Sequence, residues 1–554
     1  MKHQETLIQR LLSTHKFPGG VHPPQHKAES ISAGSVKAEI PARLILPLHQ
    51  HIGEPAEPIV AVGDKVLKGQ RIAKANGYVS AAIHAPTSGI VSDINDYPIP
   101  HPSGLNAPCI VIETDGEDKW GERLAVQDWK KLNASALRNI IRDAGIVGLG
   151  GAGFPSFIKL NPGASKQIDT LILNGVECEP YITCDDFIMR ERSGEIMLGI
   201  TIMRHALNAK ECIIAVEENK PEALQAMTMM AKETSGVKVM SVPTIYPHGS
   251  EKQLVQAITG KEVPANGLTT QIGIVCHNVA TAATVYRAVY QGESLISRYV
   301  TVTGSGVKQA KNIRALMGTP MSELIKQCDG EPASLSRVIM GGPMMGYAMQ
   351  TDQVPVIKTT NCIIACTVED VISEPAVMPC IRCGACAEVC PVSLLPQQLY
   401  WHAKSRDHDK AQEFNLFDCI ECGCCSYVCP SKIPLVQYYR HAKGEIWAGE
   451  REKALADIAR DRHEFRQTRI EREAAEKAER HRKKKEALAA NKKKAAAITA
   501  TDGKTAAKNS GNKNTAIDDA IAKAKAKRLQ QGPAHKKSAS ENTAGENKTE
   551  ASDS

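Results

Sequence analysis

The chain has 554 residues, a formal net charge of +7 and only 4% aromatic residues. Residues 451–500 hold 16 Lys and Arg against nine Asp and Glu, so this stretch alone accounts for the whole surplus of positive charge. A body without net charge and with few aromatic stacking platforms argues against nucleic-acid binding. The sequence contains no window of about 18 apolar residues, so we expect no membrane span in this chain.

The 17 cysteines would be typical of a disulfide-bonded secreted protein if an export signal preceded them. The first 20 residues, MKHQETLIQRLLSTHKFPGG, contain no apolar run that leads to a small-residue cleavage site. We therefore expect reduced thiols, in a compartment where iron–sulfur clusters persist. The length allows about three to five domains at the usual domain size.

The first region, residues 1–114, combines short β-branched runs with Gly and Pro, which is typical of a small β-domain. Its phrases GDKVLKGQ, from Gly63, and APTSGIV, from Ala85, resemble the barrel-sandwich hybrid of biotinyl and lipoyl carriers. No lysine stands at a hairpin tip between these phrases in the carrier pattern. We therefore expect a scaffold and not a swinging arm.

The second region, residues 115–292, alternates apolar strand candidates with helical stretches, which predicts an α/β domain. The strand candidates are 171–173, 213–216 and 237–239, and residues 221–233 form a predicted helix. One strand candidate leads into NGVECEP, residues 174–180. This run puts Asn174, Glu177 and Glu179 at the carboxyl edge of a sheet, where α/β proteins bind ligands.

A glycine-rich loop, GLGGAGFP at residues 148–155, follows a predicted helix at residues 135–144. A dinucleotide-binding fingerprint must instead follow a strand and open a helix, so the loop is not a Rossmann site. Its four glycines expose many backbone N–H groups, which suit a phosphate or a flat ring lying against bare backbone. A purely structural turn is an equal alternative.

The third region, residues 293–373, begins with strand-like residues 299–304 and continues with a helical stretch at 320–327. This order is compatible with a β-grasp module. Cys362 and Cys366 lie near its end at helical spacing, and we interpret them, like most isolated cysteines of the chain, as small buried hydrophobes.

The fourth region, residues 374–445, carries two copies of the run C-x2-C-x2-C-x3-C-P. In two-cluster ferredoxins the fourth cysteine of each copy ligates the other cluster. The predicted ligands of one [4Fe-4S] cluster are Cys380, Cys383, Cys386 and Cys429, and those of the second are Cys419, Cys422, Cys425 and Cys390. Tetrahedral zinc is the alternative, but it does not require third and fourth cysteines at fixed offsets.

The fifth region, residues 446–554, is rich in Ala, Lys, Glu and Arg and then in Ser, Asn, Thr and Gly. It predicts a charged helix over 451–490 and disorder from 498, with a short helix at 520–529. Attraction to anionic lipid headgroups or to an acidic partner is the functional alternative.

The glycine loop and the strand end resemble the NADH- and FMN-binding subunit of respiratory complex I, whose corresponding runs read GRGGAGFP and NADESEP. Two shorter runs, HGSE at 248–251 and HNVAT at 277–281, are similar to its CGEE and NNVET. The resemblance implies catalytic roles for Phe154, Lys159, Glu177, Glu179 and Glu251. It implies FMN contacts for Gly148, Gly150, Gly151, Gly153, Asn174, Asn278 and Thr281. Two departures, Leu149 for arginine and Val176 for aspartate, change part of the flavin hydrogen bonding.

The opening FPGGVHPP at 17–24, the run GGPMMG at 341–346 and the paired cluster motifs extend the resemblance. Together with the β-domain and the α/β domain they resemble the RnfC family of the Rnf complex, a membrane-bound ion-translocating oxidoreductase. This resemblance implies a multidomain α/β plus β fold. The expected parts are an N-terminal barrel-sandwich hybrid, a complex-I-type FMN/NADH domain, a β-grasp module, a two-[4Fe-4S] ferredoxin domain and a charged helical and disordered tail.

The resemblance also implies a function. We expect electrons to pass between NADH/NAD, non-covalent FMN and the two [4Fe-4S] clusters, to or from integral-membrane and iron–sulfur partner subunits. The expected location is peripheral, on the cytoplasmic face of the bacterial inner membrane. The alternative is an iron–sulfur relay or assembly scaffold without a working flavin site, which Leu149 and Val176 favour.

Overall fold

The structure is a computed structural model that describes residues 15–32, 35–163, 166–265, 267–331, 334–370 and 376–501. The chain divides into two units, Met1–Arg451 and Glu452–Ser554. Within the first unit, the described strands form four sheets.

The first region folds into two antiparallel sheets with a shared core. Its elements are α1 (Ala28–Ser32), β1 (Ser35–Lys37), β2 (Arg43–Pro47), β3 (Glu57–Pro58), β4 (Lys65–Val66), β5 (Arg71–Lys74), β6 (Ile83–His84), β7 (Gly89–Pro98) and β8 (Asn106–Thr114). The strand orders are β2-β8-β7-β4 and β3-β5-β6. Leu46, Ile72 and Ile110 lie in one core and are fully buried, so the two sheets bury their apolar faces together.

The second region is an α/β domain with a parallel sheet. Its elements are α2 (Ala134–Asp143), α3 (Ser156–Lys159), β9 (Thr170–Gly175), α4 (Cys184–Glu191), α5 (Ser193–Leu207), β10 (Glu211–Glu217), α6 (Pro221–Lys232), β11 (Val237–Val242), α7 (Glu251–Thr259), β12 (Ile274–Asn278) and α8 (Val279–Gln291). The strand order is β11-β10-β9-β12, and all pairs are parallel. The nearly continuous apolar run of β10, ECIIAVE, is typical of a strand that is covered on both faces.

Two helices of this domain pack at very short distance. A Cβ atom at position 199, in α5, would lie 1.9 Å from the carbonyl oxygen of Ala282 in α8, so only glycine fits there. The start of α2 also has a local cause, because the side chain of Asn133 accepts a hydrogen bond from the N–H of Ala136.

The third region forms a six-stranded mixed sheet. Its elements are β13 (Ser297–Thr303), β14 (Lys311–Leu316), α9 (Met321–Lys326), β15 (Arg337–Met340), β16 (Tyr347–Met349) and β17 (Cys362–Cys366). The strand order is β1-β14-β13-β17-β15-β16, so β1 from the first region forms an edge of this sheet. Cys362 and Cys366 have the spacing of one helix face, but both lie in β17 between β13 and β15, and Cys362 is fully buried.

The fourth region is built from short helices around the two cysteine motifs. They are α10 (Ala385–Glu388), α11 (Pro396–Ser405), α12 (His408–Glu413), α13 (Cys424–Tyr427) and the start of α14 (Leu435–Thr501). Helices α10 and α13 end before Cys390-Pro391 and Cys429-Pro430, where proline cannot continue a helix. Leu399, Tyr439 and Ala442 pack in the common core of this region.

The second unit begins within α14, at Glu452. All but one of the residues 452–497 are exposed, and exposed pairs such as Arg469–Glu473 and Lys483–Glu479 add little stability. The helix continues to Thr501, beyond the predicted start of disorder at 498. The predictions for 502–554, including the short helix at 520–529, lie outside the described residues. Among the described residues, none of the helices is both long and apolar enough to cross a membrane.

We expect deletion of residues 452–554 to leave the free energy of unfolding of the remaining chain unchanged. The described part of the removed segment buries almost no side chain, so no core contact is lost. Thermal unfolding followed by circular dichroism, with the full-length chain as control, measures this. A clearly lower melting temperature of the truncated chain would contradict it.

Candidate functional site

A cavity of about 740 Å³ opens at the carboxyl edge of the parallel sheet. All four regions of the first unit contribute to its walls. They include His49–Gly53 and 99–101 of the first region, Gly150–Ala152 and Asn174 of the second, Met340 and Tyr347 of the third, and Ile420 and Cys422 of the fourth. The volume lies within the range of about 300–1,000 Å³ that is typical of small-molecule sites.

The cavity lies where the strand order of the sheet reverses. β9 pairs with β10 on one side and with β12 on the other, and Asn174 at the end of β9 is in register with Asn278 at the end of β12. Ligands of open α/β sheets bind outside the strand ends at such a switch point. The amide of Asn174 donates to the carbonyl oxygen of Gly249 at 2.7 Å, and the amide of Asn278 donates to Asp185 at 2.5 Å. Both predicted cofactor-binding amides therefore line the cavity with fixed orientations.

The glycine loop forms part of the cavity wall through Gly150 and Gly151. The N–H of Gly148 donates to the carbonyl oxygen of Phe154 at 2.8 Å and closes the loop. Leu149 is buried, and its N–H donates to the hydroxyl of Thr281 at 3.0 Å. Thr281 is itself fully buried, so it holds the loop on the side that faces the protein interior.

A buried arginine fixes the same loop. The guanidinium of Arg298, in β13, donates to the carbonyl oxygen of Leu149 at 3.1 Å and also to that of Lys358. The loop is thereby joined to the third region. A methyl group added at Gly151 would meet no atom within 4 Å, so the loop leaves open space above its backbone.

Several predicted residues do not line the cavity. The described residues that line the cavity do not include Gly148, Gly153, Phe154, Lys159, Glu251 and Thr281. The ammonium of Lys159 lies 2.6 Å from the carboxylate of Glu251 and 2.9 Å from the carbonyl oxygen of Cys276. The two side chains satisfy each other, and their catalytic roles stay predictions.

The two predicted carboxylates, Glu177 and Glu179, do line the cavity. The carboxylate of Glu177 accepts the N–H groups of Asp185 at 2.7 Å and Asp186 at 3.2 Å, at the N-terminus of α4. The carboxylate of Glu179 accepts the N–H groups of Met344 at 2.7 Å and Met345. Each carboxylate therefore shapes the cavity by holding a neighbouring turn.

Glu177, Glu179 and Asp185 form an acidic wall of the cavity, and Asp186 follows Asp185 in α4. Burial, and then the charge of Glu177, raise the pKa of Asp185 to about 7, and the same two causes raise the pKa of Asp186 to about 6. Burial also raises the pKa of Glu179. A bound molecule that donates hydrogen bonds to these carboxylates would offset the free-energy cost of burying their charged forms.

Two buried lysines, which no sequence motif indicates, hold the acidic wall in place. The ammonium of Lys27 donates to the carbonyl oxygens of Glu177, Glu179 and Ile182. The ammonium of Lys220 donates to the carbonyl oxygen of Val176 at 2.8 Å and to Glu217 at 2.9 Å. Only the folded structure reveals this role, because the partners of both lysines depend on tertiary packing.

The cysteines of the two motifs converge on two smaller cavities. One, of about 350 Å³, is lined by Cys380, Cys383, Cys386 and Cys429. The other is lined by Cys390, Cys419, Cys422 and Cys425. The structure thus brings together three cysteines of one copy with the fourth of the other. Four thiols around one space fit a [4Fe-4S] cluster in each cavity.

The second of these cavities touches the large one. Ile420 and Cys422 line both, and the hydroxyl of Tyr246, another wall residue, donates to the carbonyl oxygen of Cys422 at 2.6 Å. Tyr246 could not be found from the sequence because it lies outside every motif. Cys424 also lines the second cavity and is fully buried, while its thiol lies 3.9 Å from the carbonyl oxygen of Tyr246.

Comparisons with known proteins agree with this architecture. Four family models match: the RnfC barrel sandwich hybrid domain at residues 15–117, the Nuo51 FMN-binding domain at 141–287, the SLBB domain at 299–348 and the 4Fe-4S dicluster domain at 379–433. The C component of the ion-translocating oxidoreductase complex of Rhodobacter capsulatus is 48% identical over 406 residues, which cover 73% of this chain and 78% of that protein. The chain belongs to this RnfC family.

The RnfC relative of Pseudomonas aeruginosa is 47% identical over 464 residues, which are 84% of this chain. The match spans 60% of the length of that relative. The NAD+-reducing [NiFe]-hydrogenase has a TM-score of 0.43 and 17% identity, with coverage of 57% of this chain and 63% of the hydrogenase chain. That likeness is too low to carry an argument.

Membership of the RnfC family confirms the predicted family and fold class. The barrel-sandwich hybrid, the complex-I-type FMN-binding domain, the third-region module and the two-cluster domain are all found in the predicted order. The boundaries between the regions 1–114, 115–292, 293–373, 374–445 and 446–554 stay predictions.

We expect Gly153→Ala to lower the free energy of unfolding and Gly148→Ala to leave it nearly unchanged. Gly153 has a φ of +67°, and an added Cβ would lie 2.6 Å from the methyl group of Thr359. At Gly148 the nearest atom would be 3.6 Å away, an ordinary contact. The cost at position 153 is about 1–3 kcal/mol. Urea denaturation of both variants measures it, and equal midpoints would show that the loop tolerates a side chain at either place.

Proposed function

We propose that this chain is a peripheral electron-transfer subunit of a membrane-bound ion-translocating oxidoreductase complex. It passes electrons between NADH/NAD, FMN and two [4Fe-4S] clusters, to or from partner subunits. The observation that carries this proposal is the shared wall between the large cavity and one cysteine cavity, at Ile420 and Cys422. A wall common to both sites supports transfer between the occupants of the two cavities.

The large cavity is the proposed site of non-covalent FMN and of NADH. FMN accepts two electrons together and releases them singly, which converts hydride chemistry into cluster chemistry. The backbone of Gly150 and Gly151 and the amides of Asn174 and Asn278 would hold it, because they line the cavity with fixed orientations. Tyr246 lines this space beside Cys422, to whose carbonyl oxygen its hydroxyl donates.

The two cysteine cavities are the proposed cluster sites, with the ligand sets predicted from the motif spacing. The set Cys390, Cys419, Cys422 and Cys425 lies beside the large cavity. The other set includes the exposed Cys383, two positions after Ile381, a residue that is 67% exposed. We therefore assign the first set to exchange with the flavin and the second to exchange with a partner subunit.

The proposed partners are integral-membrane and iron–sulfur subunits, and the proposed location is the cytoplasmic face of the bacterial inner membrane. Both rest on the family, whose members are named as parts of a complex.

A second candidate function is an iron–sulfur relay without a working flavin site. The positions of Phe154, Lys159 and Glu251 outside the cavity favour it, because the resemblance assigns these residues to the flavin and the nicotinamide. Iron content and flavin binding, measured separately, distinguish the two functions.

We expect the purified chain to hold about eight iron atoms, because each [4Fe-4S] cluster carries four. Cys390→Ser should remove the cluster beside the large cavity and leave the other, so that about half of the iron remains. Cys424→Ser is the matched control, since this buried cysteine lies between two ligands and outside both proposed sets. Iron analysis with EPR of the reduced protein measures both variants. Zinc in place of iron, or full iron in Cys390→Ser, would contradict the ligand assignment.

We expect Ala152→Trp to abolish FMN binding while the iron content stays at about eight per chain. Ala152 is exposed and lines the large cavity, so an indole there occupies the space proposed for the flavin. Ala448→Trp, on the exposed side of α14, is the matched control. Flavin absorbance after reconstitution, and its bleaching by NADH, are the measurements. Clusters without flavin in the unmutated chain would support the relay instead.

A further inference from the structure

The fourth region contains an internal repeat in which several equivalent positions differ in charge, one of them between the first two cysteines of each copy. Cys380 and Cys419 stand 39 residues apart, and the same offset relates all four cysteines of the two copies. It also relates Tyr400 to Tyr439 and Lys404 to Lys443, in the helices that follow each copy. Between the first two cysteines of each copy, however, the sequence has Ile-Arg in one case and Ile-Glu in the other.

Arg382 and Glu421 occupy equivalent backbone positions. Their φ angles are +58° and +57°, so the two loops have the same local conformation. The difference between them is therefore one of side-chain charge.

In the second copy, the carboxylate at this position draws a lysine inward. Lys443 is buried, with 7% of its side chain exposed, and its ammonium donates to Glu421 at 2.8 Å. The same ammonium donates to the carbonyl oxygen of Cys419 at 2.7 Å. The Lys443 charge is thus held directly against the backbone of a proposed cluster ligand.

The charges around this lysine do not cancel. Arg440 donates to the other carboxylate oxygen of Glu421 at 2.9 Å, so two cations share one carboxylate. Asp418, next to Cys419, has Lys252 at 3.7 Å as a counter-charge. The three cations Lys443, Arg440 and Lys252 thus face two carboxylates, Glu421 and Asp418, and Lys443 is the most buried of the three cations.

In the first copy the equivalent lysine points elsewhere. Lys404 is exposed and donates to the hydroxyl of Tyr400 at 3.2 Å. Its ammonium lies 5.5 Å from the ring centre of Tyr400 and 5.7 Å from that of Trp401. Arg382, at the position of Glu421, would repel it from the inward arrangement.

We propose that Lys443, positioned by Glu421, raises the reduction potential of the cluster held by Cys390, Cys419, Cys422 and Cys425. The proposal rests on the proposed function, which places a cluster there. Adding an electron to a cluster is favoured by nearby positive charge, and the effect is large for a buried charge because screening by solvent is weak. Lys404 exerts no comparable effect on the other cluster, because solvent screens it.

The consequence is an electrostatic difference between the two clusters built from nearly identical motifs. Buried Lys443 raises the reduction potential of the cluster beside the large cavity. At the equivalent position near the other cluster, Lys404 is exposed to solvent. Glu421 is the positioning residue in this scheme, and Lys443 acts through its charge.

The test is a redox titration of both clusters, followed by EPR, in the full-length purified chain. Lys443→Gln should shift the midpoint potential of one cluster to a lower value and leave the other unchanged. The matched variant Lys404→Gln should shift neither. Glu421→Gln should shift the same cluster as Lys443→Gln but in the opposite direction. The amide oxygen at position 421 and the carbonyl oxygen of Cys419 still accept hydrogen bonds from Lys443, while the negative charge is removed.

Iron content is measured first in every variant. If the unmutated chain holds fewer than two clusters, the proposed function fails before the inference is reached. If the clusters are complete and Lys443→Gln leaves both potentials in place, or if Lys404→Gln causes an equal shift, the inference is overturned. Should Lys443→Gln lose iron, the rise expected in Glu421→Gln decides the question, and its absence overturns the inference.

Discussion

Burial of ammonium groups against backbone carbonyls joins the first three regions of the first unit around one cavity. Lys358 is almost fully buried, and its ammonium donates at 2.7 Å to the carbonyl oxygens of both Ala82 and Gly145. One side chain of the third region thereby joins the first and second regions. Burial lowers its pKa to about 7, so this arrangement costs free energy that the two hydrogen bonds offset. These contacts align cavity walls from distant parts of the chain, together with one apolar core that the first three regions share.

Much of the architecture was predictable because its signals are local. The strands around Leu171–Leu173 and Ile213–Val216, the helix before the glycine loop and the cysteine motifs each depend on a few neighbouring residues. The helical spacing of Cys362 and Cys366 did not indicate their secondary structure, because a spacing of four residues fits one face of a helix and also one face of a strand. Whether this segment is a helix or a strand depends on its pairing with β13 and β15, which are not its immediate neighbours in the sequence.

The candidate site was predictable only in part, for the same reason. Gly150, Asn174, Glu177 and Glu179 lie on the cavity wall, as a position at the end of a parallel strand implies. The lysines at 27, 220 and 358 and Tyr246 have partners far away in the sequence, and they stand in no motif. A resemblance between motifs therefore identifies residues that line the cavity more readily than residues that hold those lining residues in place.

The pairing of β1 with β14 has a consequence for biosynthesis. The strand β1, Ser35–Lys37, pairs with Asn312–Arg314 of β14. Because β1 is synthesised early, it has no pairing partner until more than half of the chain has been translated. Until then its unpaired backbone is an open edge of the kind that recruits other strands. Expression of the N-terminal barrel-sandwich segment alone would leave that edge open permanently, whereas a fragment that begins after Lys37 would avoid it. The boundary of an autonomously folding N-terminal fragment is thus set by a strand that belongs to another sheet.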